Sequence, residues 1–359
     1  MWRLIGGWGT VLAFTFFGSD LLSKSVLEQG PLELLLFVWI LGAILWCAFG
    51  VVTEADHLAE MLGEPFGTLI LTLSIVVIEV MLISAVMLGG GGSPTVGRDT
   101  MFAVTMIVLN GVVGLSLVTG GIRHHTQDYS LEGATAYLSV IIPLATIALI
   151  LPSVTQSTPN DTLSTSQAIL FSIATVALYA IFLLVQTSRH RDLFTLSDDD
   201  GHVPEEVSGR AIARHTILLV ATVLPIVLLA KRLDKVVTHG IDDLGLPVAL
   251  TGLLIALIIF TPEGVSALKA AYRNQLQRTV NLCLGACLST VGLTLPAVLT
   301  IGLITGRDVL LGVDSTGIVL ITLTLVLSIV TFSGPRTTVL EGAVHLLVFF
   351  VYVVLIFSP

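Results

Sequence analysis

Two glutamates stand out because of what surrounds them. Glu79 lies in Leu71-Thr72-Leu73-Ser74-Ile75-Val76-Val77-Ile78-Glu79-Val80, and Glu263 in Ile258-Ile259-Phe260-Thr261-Pro262-Glu263-Gly264. A charged side chain at the centre of a membrane helix costs ~2.5–3.5 kcal/mol or more, so a carboxylate at that depth marks a place where something compensates. Hydroxyls from Thr72, Ser74, Thr261 and Ser266 flank the pair. Pro262 has no amide donor and leaves the carbonyl of Ile258 without its usual helical partner. Freed carbonyls inside a membrane are tolerated where they line a cavity or bind an ion. Carboxylates, hydroxyls and carbonyls make an all-oxygen set, which suits hard cations: Ca2+ first, with Na+ and K+ as alternatives. Neither segment holds a His or Cys. A carboxylate kept from water favours its protonated form, whereas a bound cation favours the ionised one. Protons and cations then compete for the same groups.

Composition says what kind of element carries these residues. Only 11% of the 359 residues are charged and 54% are hydrophobic, against about 25% charged in a soluble domain. With a mean hydropathy of +0.98, so much apolar surface exceeds what one soluble core hides, since cores stop growing near ~250–300 residues. The bulk must face lipid. A net charge of -9 offers no basic patch for nucleic acid. Cys47, Cys283 and Cys287 form no paired CxxC and read as small packing residues. No HExxH or comparable metal motif suggests an intramembrane enzyme, and no cofactor is expected beyond the transported ions.

A spanning helix needs ~20 mainly apolar residues. Cutting the chain where charges, Gly or Pro cluster predicts about 11 transmembrane helices, at 3–22, 31–52, 65–88, 100–121, 132–152, 166–187, 211–231, 246–268, 279–304, 315–333 and 338–358. The chain therefore reads as an all-α polytopic membrane protein. The one long polar break, 188–210, carries Asp198, Asp199, Asp200, Glu205 and Glu206. It separates a first repeat (31–187) from a second (211–359), after an extra N-terminal helix in 1–30. Five helices per copy invert the second copy relative to the first, and such repeats place a substrate site near the bilayer midplane. Glu79 and Glu263 fall in the third and eighth spans, at equivalent ranks. The next span in each copy places a polar residue before a run of small ones: Asn110-Gly111-Val112-Val113-Gly114 and Ser289-Thr290-Val291-Gly292.

Alternate sides of this topology carry ten and six Lys and Arg residues, the ten on the side of the N-terminus. The positive-inside bias predicts a cytoplasmic N-terminus and acidic loop in a multi-pass protein of the inner membrane. Its partners would be lipid and the transported cations, with self-association left open. Glu54, Asp56, Glu60 and Glu64 suggest an acidic vestibule on the cytoplasmic side, or a solvated cluster capping a helix. Glu341 and His345, one turn apart in the last span, suggest either a proton relay or a structural pair.

At these residues the chain resembles the calcium:cation antiporter superfamily, specifically bacterial ChaA-type calcium/proton antiporters. The resemblance rests on Gly63-Glu64-Pro65-Phe66-Gly67-Thr68-Leu69-Ile70-Leu71 running on to Glu79, and on Thr261-Pro262-Glu263-Gly264-Val265-Ser266-Ala267-Leu268-Lys269-Ala270. Asn274-Gln275-Leu276-Gln277-Arg278, Asn281-Leu282 and Glu341-Gly342-Ala343-Val344-His345 add to it. The resemblance implies two inverted five-helix repeats plus a first helix, and cation/proton exchange at Glu79 and Glu263. The superfamily's Gly-Asn-Ala-x-Glu signature is here Ile75-Val76-Val77-Ile78-Glu79 and Ile259-Phe260-Thr261-Pro262-Glu263, so the carboxylates match and the Gly and Asn do not.

Overall fold

A computed structural model describes residues 2–62, 66–88, 93–158, 162–194 and 208–358. The chain is helical in the expected order: α1 (Trp2–Phe16), α2 (Gly30–Leu62), α3 (Phe66–Leu88), α4 (Val96–His124), α5 (Leu131–Val154), α6 (Thr165–Ser188), α7 (Gly209–Leu244), α8 (Ala249–Tyr272), α9 (Leu276–Thr305), α10 (Ser315–Thr331) and α11 (Val339–Phe357). Among the described residues, eight helices are long and apolar enough to cross a membrane. The residues Asp198, Asp199, Asp200, Glu205 and Glu206, together with Gly63, Glu64 and Pro65, lie outside the described set.

Three boundaries differ from the hydropathy reading. A single span is expected over 3–22, but α1 ends at Phe16 and two one-turn helices follow, Gly18–Leu21 and Lys24–Leu27. At 15 residues, α1 is ~22 Å long. The other two differences are extensions. Charges from Glu54 to Glu64 and from Lys231 to Gly245 read as loops, yet α2 runs on to Leu62 and α7 to Leu244. The reason is that the polar residues of these helix ends find partners on neighbouring helices. Glu54 Oε2 accepts from His215 Nδ1 at 2.6 Å, Glu33 Oε1 from His239 Nδ1 at 2.8 Å, and Lys235 Nζ donates to the Leu22 carbonyl at 3.0 Å. Gly245, left-handed at φ 62°, ends α7.

The helices gather into two compact units. The first comprises residues 1–96 and 203–262, the second 97–202 and 263–359. Neither unit is one of the sequence halves, because each draws on both.

In the first unit, α2 and α7 pack along their length, antiparallel as the Glu54–His215 and Glu33–His239 pairs require, with α3 and α1 against both. Glycine makes the close approach of α1 and α2 to α7 feasible. A Cβ at Gly7 would sit 2.3 Å from Cys47 Sγ and 3.2 Å from Pro225 Cβ, and one at Gly50 would sit 2.9 Å from Thr222 Cγ2. Cys47 is thus a packing residue, as its isolation in the sequence suggests. Trp8 Nε1 donates to the Ala221 carbonyl at 3.0 Å, and Arg3 Nη1 to the Phe49 carbonyl and Thr53 Oγ1, both at 2.7 Å.

In the second unit, α4 lies against α11 and α9 against α5 and α6. The α4–α11 seam is nearly backbone on backbone: a Cβ at Gly342 would meet the Val118 nitrogen at 2.7 Å and the Gly114 carbonyl oxygen at 2.8 Å. Only small residues allow helices so close. Outside the bilayer-length segments, Gln127–Asp128 pairs antiparallel with Arg336–Thr337. Beside this short ladder the Tyr129 hydroxyl donates to the Gly334 carbonyl, and burial, with Glu341's charge adding to it, pushes the phenol up to about 12. The Asn274–Asn281 segment fastens the start of α9. Gln277 Oε1 accepts from the Ser130 amide at 2.6 Å, Asn281 Nδ2 donates to the Phe194 carbonyl at 2.7 Å, and Thr279 Oγ1 ties α9 to the Ala267 carbonyl of α8 at 2.8 Å.

Candidate functional site

Glu79 lies just past the middle of α3 and is fully buried at 0% exposure. The residues on either side of its turn, Val76, Ile78, Leu82 and Ile83, are buried and apolar. Glu263 lies in the second half of α8 at 7% exposure. Both carboxylates have interaction partners, as burial demands of a group that water would otherwise solvate. The two fall in different units, Glu79 in the first and Glu263 in the second.

The expected supporting oxygens take different parts. Ser74 is buried on the Glu79 helix, and Thr72 lies in α3 with its side chain outside the described set. The helix α8 continues through Pro262, so the proline removes one rung of its hydrogen-bond ladder without ending it. Thr261 Oγ1 donates back to the Leu257 carbonyl at 2.5 Å and Ser289 Oγ to the Ala286 carbonyl at 3.0 Å, leaving each hydroxyl oxygen able to accept or ligate. Ser266 is half-buried on α8, three residues beyond Glu263.

Asn110 and Ser289 share a local backbone feature that hydropathy could not reveal. Asn110 sits inside a π-helical segment, Ile107–Val112, and Ser289 directly precedes another, Thr290–Thr294. A π-turn adds one residue to a helical turn, frees backbone groups from the i−4 ladder and is frequent at functional sites. The two turns interrupt α4 and α9, the helices that follow those of Glu79 and Glu263. Within the second unit, Gly264 lies against the π-turn of α4: a Cβ there would meet Val112 Cγ2 at 3.3 Å. The segment carrying Glu263 thus borders the turn carrying Asn110.

Asn110 belongs to a dry polar cluster. Its Nδ2 donates to Thr324 Oγ1 of α10 at 2.8 Å, and its Oδ1 lies 3.0 Å from Nδ1 of His345 on α11. The other ring nitrogen, Nε2, lies 2.9 Å from Thr331 Oγ1 of α10. Asn110, Thr324 and His345 are all at 0% exposure, and Thr331 is at 3%. The Gly114–Gly342 contact, four residues beyond Asn110 and three before His345, brings the partners within reach. Glu341 is placed elsewhere: it closes a capping box with Thr338 at the start of α11, and its carboxylate forms no hydrogen bond to His345. Thr324, Thr331 and the His345–Asn110 bond escape sequence reasoning. Their trace is the buried face Thr324-Ser328-Thr331, spaced at i, i+4 and i+7 along an otherwise apolar helix.

The sodium/calcium exchanger protein family matches residues 32–188 and 214–358. The sodium-potassium/proton antiporter ChaA of Escherichia coli (strain K12) is 40% identical over 333 residues, 91% of this chain and 90% of that protein. Two solved structures share the fold. Native YfkE aligns with a TM-score of 0.72 at 16% identity, covering 94% of this chain and 99% of its own. The H+/Ca2+ exchanger CAX aligns at 0.66 and 14% identity, covering 98% and 88%.

Proposed function

The chain belongs to the sodium/calcium exchanger protein family, and from that premise we propose that it is a secondary transporter exchanging Ca2+ for H+. The observation that carries this reading is the burial of two carboxylates, Glu79 and Glu263, in otherwise apolar helices. Deprotonated, the two carry the charge that neutralises one divalent cation. Protonated, they carry none, so cation and protons replace each other with the local charge unchanged. Burial makes either neutral state preferable to a bare pair of charges. We assign the neutral oxygens that would assist these carboxylates to Asn110, Ser289, Thr261, Ser266, Ser74, Thr72 and the region of Pro262.

A second reading, Na+/H+ or K+/H+ exchange, is favoured by the relative of 40% identity, which is named a sodium-potassium/proton antiporter. A monovalent ion would neutralise only one carboxylate and leave the other holding a proton. Both readings place the protein in the inner membrane with the N-terminus and the 188–210 loop in the cytoplasm.

Everted membrane vesicles test all of this together. We expect cation-driven proton flux that is largest with Ca2+, and a loss of flux in both Glu79→Gln and Glu263→Gln. Full flux in either variant, or no response to any of the three ions, would sink the proposal, and a larger response to Na+ or K+ would select the second reading. Protease added to the same vesicles should cleave within 188–210, and protection there would reverse the orientation.

A further inference from the structure

We propose that His345 is a positioning residue for the transported cation: it locks the Asn110 carboxamide in the π-turn of α4 and so fixes which face of that amide is offered toward the Glu263 segment. The inference rests on the antiport reading above, but its structural basis lies wholly within the second unit.

The hydrogen bonds define the ring's state. Asn110 Nδ2 is spent on Thr324 Oγ1, so the atom facing His345 is the acceptor Oδ1, and Nδ1 of the ring must carry the hydrogen. Nε2 is then the acceptor, and the Thr331 hydroxyl donates to it. Every atom of this chain is used in one direction only, running from Thr331 through the neutral imidazole to Asn110. Reversing the amide would set Nδ2 against the Nδ1 hydrogen and Oδ1 against Thr324. Histidine thus ties the amide's orientation to its own tautomer, because a reversed amide requires the ring hydrogen to move to Nε2 and the Thr324 and Thr331 hydroxyls to turn.

The π-turn makes the lock necessary. A regular α-helix would hold residue 110 by its i−4 and i+4 neighbours, whereas a π-turn widens the ring of backbone bonds and loosens that register. Gly264 lies against Val112 of the same turn, so the turn that carries Asn110 borders the segment that carries Glu263. A cation approaching there meets a fixed Oδ1 lone pair rather than a mixture of oxygen and NH2. His345 need not touch the cation to do this.

The full chain, reconstituted in vesicles, is assayed for proton flux against Ca2+, Na+ and K+. His345→Leu should raise the apparent KM for the transported cation about 3- to 10-fold, the value of a hydrogen bond or two, with kcat held within about twofold. His345→Gln, whose amide can both donate to Oδ1 and accept from Thr331, should restore KM. In the Asn110→Ala background, His345→Leu should have no further effect, because the two residues act as one. An unchanged KM in His345→Leu, or an undiminished extra loss in Asn110→Ala, overturns the assignment.

A second readout does not need transport. Among the eight histidines, 13C/15N NMR of the labelled full chain should show a neutral ring protonated at Nδ1 whose signal is missing in His345→Gln and altered in Asn110→Ala. A ring protonated at Nε2, unaffected by Asn110→Ala, overturns the lock. Vesicles silent toward all three cations would instead overturn the antiport reading, and the NMR signal would then decide the lock alone.

Discussion

Residue type alone distinguishes Glu79 and Glu263 from the other carboxylates, because each is a charge in an apolar helix, and both prove buried. Glu341 shows the opposite case. In the sequence it stands one turn from His345 and invites a proton relay. In the structure it accepts from the Thr338 amide at 2.9 Å at the helix start, while His345 turns inward to Asn110. Glu341→Ala should accordingly destabilise the protein by about 0.5–2 kcal/mol through loss of the cap, with cation-driven proton flux unchanged. Thermal unfolding in detergent and vesicle flux measure the two effects, and a loss of flux at equal protein content would restore the relay. The sequence makes the deep carboxylates legible but not their setting. Asn110 and His345 are 235 residues apart, and no local pattern joins residues that only a helix seam brings together.

Helix identity is set by hydropathy, and helices recur close to the expected places, eight of them among the described residues long and apolar enough to cross a membrane. Their ends do not, because the end of a hydrophobic run is not the end of a helix. Glu54 and His239 stay helical since each finds a partner across the α2–α7 contact, whereas a window of mean hydropathy sees only charge. The π-turns at Ile107–Val112 and Thr290–Thr294 are equally hidden, being made by one residue's change of register in sequences as apolar as their neighbours. That register has a testable consequence. Deleting one residue from Ile107–Val112 should return α4 to regular α-geometry and rotate everything on one side of the deletion by about 100° relative to the other. Asn110 could then no longer reach both Thr324 and His345. Flux should be lost while helical content by circular dichroism stays within a few per cent, and a deletion variant with normal flux would show that the turn has no part in transport.

At the scale of the whole molecule, the two halves expected from the sequence and the compact units of the structure are different divisions. The units join residues 1–96 to 203–262 and 97–202 to 263–359, with the second break falling between Pro262 and Glu263 inside one continuous helix. Hydropathy counts the helices without naming their neighbours, so this partition could not be read beforehand. The α2–α7 contact adds a property of another kind. Glu33 and Glu54 are 21 residues apart on α2, and His215 and His239 are 24 apart on α7, which at 1.5 Å per residue separates the two polar pairs by ~32–36 Å. The hydrocarbon layer of a bilayer is ~30 Å thick. The clasps therefore fix the register of the helix pair, but Lys231, Arg232, Asp234 and Lys235 of α7 lie on the inner side of the His239 clasp, so the apolar stretch that lipid meets on α7 is only 217–230, ~21 Å long. In reconstituted vesicles, transport should be fastest in bilayers thinner than the distance between the clasps and fall off in thicker ones, as longer acyl chains draw the charges of 231–235 into oil before they reach the Glu33–His239 pair.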